Sequence, residues 1–425
     1  MDTAWEAASP RSGDFNLSGG RARVFAALLM ALVALQNASV ALIPVVAPSL
    51  QQRFAFSDAE IGLLTSVFAL AIGLSAIPMG LATARWGGRV VILALGLYVA
   101  GTVIFAAGGS YGWFLTGRFI QGFGIGASVP AATALITRFV APKARPAAFG
   151  LFGAGTGLGT TGSLLVMPSI ARAWGYQGVF LAVAAFATCL ALIGAIIPTL
   201  RGRPPLEGKV PTIGVLLRAV GGSARNPGVW LVVLLSLSPS GVVVGVLTWT
   251  PQFLHDSFGT ALAVAAYVTA GIGVALMLGN PSGAFAMRRV GLGGSMTVGL
   301  AGMTVACALV PFSPGIALAC VAVLATAVLA GTVMPPSLAA VAVVTTGPEA
   351  LGAATGVIGL GNSAGAMVAP WIFGVLLDTY GTAPGESGYT AGYLVLAAYG
   401  VVGAVAALVF TLLKRAGRLG PRAGR

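Results

Sequence analysis

Arg118 is the residue of this chain whose chemistry is hardest to explain by packing alone. It lies within the sequence Gly-Arg-Phe-Ile-Gln-Gly at 117–122, in a long apolar stretch. In a membrane-spanning helix such a charge costs ~2.5–3.5 kcal/mol on insertion scales and normally faces a cavity or a partner. Two interpretations stay open. Arg118 belongs to a substrate or coupling site, or it caps carbonyls of a neighbouring helix or extends to the membrane surface.

Acidic residues stay at the ends of the apolar stretches. Ser57-Asp58 forms a good N-cap sequence at the start of one of them. The remaining acidic residues near stretch ends are Glu60, Asp256, Glu349, Asp378 and Glu386. A proton-driven antiporter of cationic drugs usually needs a carboxylate inside the membrane. If the chain is a transporter, the lack of such a carboxylate together with Arg118 favours an anionic or neutral substrate. The sequence has one histidine, His255, and no catalytic or metal-ligand motif, which predicts no enzyme, no cofactor and no metal site.

Glycines recur at 150, 153, 155, 157 and 159 in another apolar stretch. By letter, residues 157–162 match the dinucleotide fingerprint G-x-G-x-x-G. The context excludes it, because no βαβ unit surrounds the match and no acidic residue follows about 20 residues on. Small residues at four-residue spacing let two helices approach closely in lipid, so close helix packing is the prediction here.

The elements that hold these residues must be membrane helices. The chain has 57% hydrophobic and only 8% charged residues, where soluble domains carry about a quarter charged. Uncharged runs exceed the ~20 residues that a helix needs to cross the hydrocarbon core. The predicted spans are 24–48, 60–82, 90–107, 112–136, 147–168, 178–198, 229–251, 262–287, 294–311, 315–343, 351–376 and 390–413.

The net charge of +13 reports orientation rather than nucleic-acid binding. With both termini inside, twenty of the 23 basic residues fall in predicted cytoplasmic segments, and only Arg53 and Arg172 fall on the opposite side. This asymmetry is the positive-inside rule. We therefore expect a multi-pass protein of the inner (plasma) membrane with both termini cytoplasmic, acting as a monomer and without a nucleic-acid partner.

The two sides of a basic, Pro/Gly-rich segment at 200–228 resemble each other. Gly150, Gly153, Gly155 and Gly159 recur at Gly356, Gly359, Gly361 and Gly365, each displaced by 206. This repetition predicts two duplicated halves with the binding site between them. The predicted organisation is a disordered cytoplasmic tail at 1–20, a six-helix bundle at 21–199, a linker at 200–228, a second bundle at 229–413 and a basic tail at 414–425.

Several of these motifs resemble those of the major facilitator superfamily. Its fourth helix carries an arginine followed by Gln-Gly, matched by Arg118, Gln121 and Gly122. Its loop between helices two and three, Gly-x-Leu-Ala-Asp-Arg-x-Gly-Arg, is similar to the segment 80–89, although Ala84 stands where the aspartate belongs. The resemblance implies twelve helices in two pseudo-symmetric bundles. It also implies a gating loop formed by Gly80, Arg85, Gly87 and Arg89, with a degenerate copy at Arg288 and Arg289.

The resemblance also implies that helices one, four, seven and ten line the substrate path. Buried amides and hydroxyls are costly unless they are hydrogen-bonded, so polar residues in these helices are candidates for substrate contacts. The predicted path residues are Gln36, Asn37, Arg118, Gln121, Ser238, Ser240 and Asn362. For each of them a hydrogen bond between helices is the alternative. Trp249 and Tyr267 are predicted to be aromatic residues at the membrane surface.

We therefore expect a secondary transporter that moves a small organic or inorganic anion by alternating access. The sequence leaves open whether a proton travels with it in symport. One alternative is a drug–proton antiporter, disfavoured because Thr156 stands where the exporter motif of that group has proline. Another is a transporter-derived sensor or assembly protein, for which neither tail offers a sizeable soluble domain.

Overall fold

The computed structural model describes residues 19–140, 145–197, 221–345, 348–383 and 386–419. Helices take up almost all of these residues and no strand occurs among them, which confirms the all-α prediction. The first half contains α1 (Gly19–Val40), α2 (Leu42–Phe54), α3 (Asp58–Trp86), α4 (Arg89–Ala106), α5 (Tyr111–Ile125), α6 (Ser128–Phe139) and α7 (Arg145–Ile196). The second half contains α8 (Pro227–Phe258), α9 (Leu262–Leu309), α10 (Ile316–Val344), α11 (Pro348–Tyr380) and α12 (Gly388–Arg415).

Helix starts follow local sequence signals. At the start of α3 the Ser57 Oγ accepts from the Glu60 amide at 3.2 Å, and the Glu60 carboxylate accepts from the Ser57 amide at 2.9 Å. This capping box satisfies two backbone donors and confirms the predicted cap. Asn226 caps α8 in the same region as the predicted linker. Most of that linker, the first eighteen residues and the last six lie outside the described residues.

Glycines with positive φ turn the chain between spans. Within α7, Gly175 has φ 64°, and within α9, Gly291 has φ 76°. Gly87 and Gly381, at φ 61° and 74°, end α3 and α11. Glycine adopts this conformation without the steric cost of a Cβ. Gly87 and Gly291 are 204 residues apart, and Gly175 and Gly381 are 206 residues apart. The turns of the backbone therefore repeat at nearly the same displacement as the sequence.

Nine helices among the described residues are long and apolar enough to cross a membrane. Two of them, of 44 and 51 residues, contain the turning glycines Gly175 and Gly291 and are too long for single crossings. The chain also breaks between α5 and α6, which together cover the predicted fourth span. If α7 and α9 each count as two crossings and α5 with α6 counts as one, the helices are compatible with twelve crossings. This number stays a prediction.

Both halves use glycine to bring helices together. A Cβ on Gly155 would lie 2.5 Å from the Met30 carbonyl oxygen, and a Cβ on Gly159 would overlap the Ala34 carbonyl oxygen. The backbone of α7 therefore packs closely on that of α1. Gly365 meets the Leu237 carbonyl in the same manner, where α11 packs on α8. The packing interpretation of the glycine-rich segment is thereby confirmed at these positions.

One aromatic prediction is wrong. Trp249 is 1% exposed, donates from its indole nitrogen to the Pro370 carbonyl at 3.0 Å and stacks on Phe373 with ring centroids 5.7 Å apart. It belongs to the core of the second half rather than to the membrane surface. The sequence places Trp249 near the end of an apolar run but gives no sign of partners more than 120 residues away. Tyr267 is exposed, as expected of a residue facing lipid or its surface.

Candidate functional site

Arg118 lies fully buried inside the first half, where it joins three helices. From α5 its Nε donates to the Leu64 carbonyl of α3 at 3.1 Å, and its Nη1 donates to the Ser39 carbonyl of α1 at 3.2 Å. The same Nη1 donates to Gln121 Oε1 at 2.6 Å. The guanidinium also lies over the Phe68 ring, 4.1 Å from its centroid. The carbonyl-capping interpretation therefore describes part of what Arg118 does.

Gln121 extends these contacts into a buried chain of hydrogen bonds. Its Nε2 donates to Thr102 Oγ1 at 3.0 Å, and the Tyr98 hydroxyl pairs with Ser39 Oγ at 2.5 Å. We call Arg118, Gln121, Thr102, Tyr98 and Ser39 the Arg118 network. All five side chains are buried. Sequence reasoning found the first two, which share a motif, and missed the others, because a single hydroxyl within an apolar span carries no periodic signal.

Two buried polar side-chain atoms of the first half have no hydrogen-bond partner among the described residues. They are Arg118 Nη2 and the Oγ1 of Thr65, the residue after Leu64. A buried donor without an acceptor costs about 1–3 kcal/mol, and more when the group is charged. An arginine with one nitrogen to spare can therefore accept an additional partner that carries negative charge.

The amides of α1 lie close to this network along the chain. Gln36 Oε1 accepts a hydrogen bond from Ser128 Oγ at the start of α6. Asn37 Nδ2 donates to the Val33 carbonyl of its own helix at 3.0 Å. Both side chains are half-buried. Gln36 thus fits the predicted alternative of a bond between helices, and it stands one helical turn before Ser39.

The candidates of the second half do not join these contacts. Ser238 is buried and donates to the Tyr399 carbonyl of α12. Ser240 is half-buried on α8, and Asn362 is exposed on α11. The structure therefore brings Arg118 and Gln121 together, with Gln36 nearby in the same half, while Ser238 serves a contact within the other half.

The predicted gating residues surround two turns at one end of the molecule. Gly80 is half-buried, Arg85 and Arg89 are exposed, and Gly87 donates its amide to the Thr83 carbonyl at 2.8 Å to end α3. In the second half Arg288 and Arg289 are exposed before Gly291, with Arg289 5.1 Å from the centroid of the Phe285 ring. We call this the Arg85 end.

The two halves meet along α3 with α11 and along α7 with α9. A Cβ on Gly62 would overlap the Pro370 carbonyl oxygen, and one on Gly73 would lie 2.6 Å from Ser363 Cβ. Thr161 Oγ1 donates to the Ala270 carbonyl at 2.9 Å. On α3 these contacts run from Gly62, near the start of the helix, to Gly73, at its middle. We call the end of the molecule at which α3 begins the Asp58 end.

The opposite side has room at related positions. An added Cβ at Gly150, Gly153, Gly356 or Gly359 would meet no atom of the described residues within 4 Å. These glycines lie in the early parts of α7 and α11, on the side of the Arg85 end. None of these four glycines therefore takes part in a close contact between the halves, unlike Gly62 and Gly73 of α3.

Long apolar helices in two similar halves, with a buried cationic network in one of them, define a multi-pass membrane protein of the transporter class. A family model described as the Major Facilitator Superfamily matches residues 26–341, more than half of the chain. The chain belongs to that superfamily, as its motifs predicted. It is a family of transporters rather than enzymes.

Similar proteins include several whose names concern anions. The chain is 27% identical over 365 residues to a probable nitrate/nitrite transporter of Mycobacterium tuberculosis, covering 83% of this chain and 88% of that protein. It is 26% identical to a nitrite extrusion protein of Bacillus subtilis, covering 65% and 68% respectively. A probable chloroplastic anion transporter of Arabidopsis thaliana is 32% identical over 34% of this chain, a match that spans about a quarter (27%) of that relative.

The solved structures agree on the fold. A bacterial homolog of the human lysosomal transporter Spinster, in an inward-facing and occupied conformation, matches with a TM-score of 0.73 at 20% identity. The match covers 96% of this chain and 100% of that one. The same protein in an inward-facing and unoccupied conformation gives a TM-score of 0.71. At this identity the likeness establishes the two-bundle fold alone.

Proposed function

We propose that this chain moves a small organic or inorganic anion across the inner membrane by alternating access. The observation that carries this proposal is the buried Arg118, whose Nη2 has no partner among the described residues. The names of its relatives, which refer to anions, nitrite and nitrate, support the same substrate class.

Arg118 is suited to anion binding because its described partners are neutral. It donates to two backbone carbonyls and to the amide oxygen of Gln121, and none of these removes its charge. A positive charge in a medium of low dielectric attracts an anion far more strongly than it does in water. The fixed fork of the guanidinium also suits the planar oxygens of a carboxylate, nitrate or nitrite.

Orientation follows from charge. The basic residues at the Arg85 end make that end cytoplasmic by the positive-inside rule, with both termini on the same side. The contact at the Asp58 end then lies on the outward side of the membrane, where alternating access requires it to form and break in each cycle. The transporter is proposed to act as a monomer, and the assay below decides whether a proton travels with the anion.

The experiment is a transport assay on the purified chain in liposomes. Nitrate, nitrite, chloride, a small carboxylate and a lipophilic cationic drug would each be tested for uptake and for competition, with and without a pH gradient. We expect at least one small anion to be carried and to compete with the others. Transport of the cationic drug without any anion would overturn the proposal in favour of an exporter. Dependence of the rate on the imposed pH gradient would identify proton coupling.

A further inference from the structure

At the Asp58 end, a carboxylate of one half caps a helix of the other. Asp378, near the end of α11, accepts from the Asp58 amide with Oδ1 and from the Ala59 amide with Oδ2, each at 2.9 Å. These amides open α3, in the first half of the molecule. The first amides of a helix have no partner within it, and the positive end of the helix dipole attracts a negative charge.

The capping of α3 is divided between the two halves. Within its own half, the Ser57 hydroxyl accepts from the Glu60 amide, and the Ser57 carbonyl accepts from the Ile61 amide. The amides of Asp58 and Ala59 obtain their acceptor from Asp378. If the halves separated at this end, these two amides would lose that acceptor.

A third hydrogen bond crosses at the same place. The Asp58 carboxylate accepts from Gln252 of α8 at 3.2 Å and from Gln51 of α2 at 2.7 Å. It is thus held by one amide from each half. The backbones are close enough here that a Cβ on Gly374 would overlap the Asp58 carbonyl oxygen. Asp378 can reach the start of α3 because Gly374, one helical turn earlier, permits this approach.

We propose that Asp378 is a positioning residue of the transport cycle, which holds the Asp58 end closed by capping α3 across the two halves. Opening that end breaks its two hydrogen bonds and returns the amides of α3 to water. The inference rests on the proposed alternating access but is independent of which solute is carried.

The test measures both ends of the full-length chain in lipid nanodiscs. Spin-label pairs at Ser110 with Ser257 and at Trp86 with Val290 would report the Asp58 end and the Arg85 end, in a background where the native cysteines are replaced. All four positions are exposed. Asp378→Asn keeps the shape of the side chain and removes its charge, so the cap weakens without a change in volume.

For Asp378→Asn we expect the fraction of molecules open at the Asp58 end to rise on the order of tenfold, the equivalent of one charge-assisted hydrogen bond. Distances at the Arg85 end should shorten in the same molecules. The matched control is Glu386→Gln, which removes a carboxylate that accepts from Ala383 within its own loop. Unchanged distances at both ends in a monodisperse Asp378→Asn protein would overturn the inference.

A second variant provides the test if Asp378→Asn does not fold. Gly374→Ala places a methyl group where α11 contacts the start of α3. Its control is Gly96→Ala, where an added Cβ meets no described atom within 4 Å. Opening of the Asp58 end by Gly374→Ala supports a closed contact there, and no opening contradicts it. Because these distances are measured without solute, failure to transport anions would refute the proposed substrate and leave this result unaffected.

Discussion

The two halves of the molecule share a backbone plan but differ at the residue that carries charge. Gly126 and Pro130 recur as Gly331 and Pro335, displaced by 205. The same displacement sets Arg118 of α5 against Val323 of α10. Both are fully buried. The second half therefore fills with a valine the buried position that is occupied by a charged arginine in the first half.

The other polar residue of the motif at 117–122 shows the same difference. Gln121 corresponds to Thr326, which turns its hydroxyl back to the Ala322 carbonyl of its own helix at 2.8 Å. At this position the second half closes its polar group within one helix, whereas the Arg118 network of the first half joins α1, α3, α4 and α5 through buried hydrogen bonds. Buried polar networks are costly unless satisfied. The asymmetry is what the proposed function requires, since only one half then presents a buried charge to the substrate.

The largest effect is expected from making the first half resemble the second. Arg118→Leu should lower the transport rate about a hundredfold, because an anion would lose its charged partner, worth about 3 kcal/mol. Membrane insertion and abundance should stay close to normal. Uptake of the anion identified for the parent protein is the measurement, with Val323→Ala as the control in the second half. Normal uptake by Arg118→Leu would refute the role assigned to Arg118.

A smaller effect is expected from giving Arg118 a competing negative charge. Gln121→Glu would bring a carboxylate to the oxygen position now 2.6 Å from Nη1. The pair would attract a substrate anion less, so KM should rise about tenfold with the fold intact. As the pH falls and the glutamate becomes protonated, affinity should return toward that of the parent. An unchanged KM at every pH would mean that substrate does not sense this charge.

The sequence predicts the fold well because its signals are local and repeated. Uncharged runs define the spans, and the glycines at 155, 159, 361 and 365 mark the close helix contacts. The motif at 117–122 also identified two of the five buried residues of the Arg118 network, Arg118 and Gln121. The turning glycines Gly175 and Gly291 lie in the gaps between the predicted spans 147–168 and 178–198 and between 262–287 and 294–311.

The rest of the site depends on distant contacts that no local pattern encodes. Tyr98 and Ser39 are 59 residues apart, and Asp378 caps residues about 320 positions earlier. Such partners depend on how helices meet, which hydrophobic periodicity does not specify. Trp249 illustrates the same limit, since its position near a span end suggested the membrane surface while its partners lie in α11.

The smallest predicted effect concerns the packing that both halves share. Gly159→Ala and Gly365→Ala should each lower the thermal midpoint by ~2–6 °C, because the added methyl overlaps a carbonyl in α1 or α8 and overpacking costs ~1–3 kcal/mol. Gly162→Ala, where the methyl meets no described atom within 4 Å, should leave the midpoint unchanged or raise it, since alanine favours a helix over glycine. The measurement is the midpoint of thermal unfolding in detergent for the three variants and the parent protein. A loss confined to one half would mean that the repeated glycines do not carry equivalent contacts, and that the halves differ in packing as well as in charge.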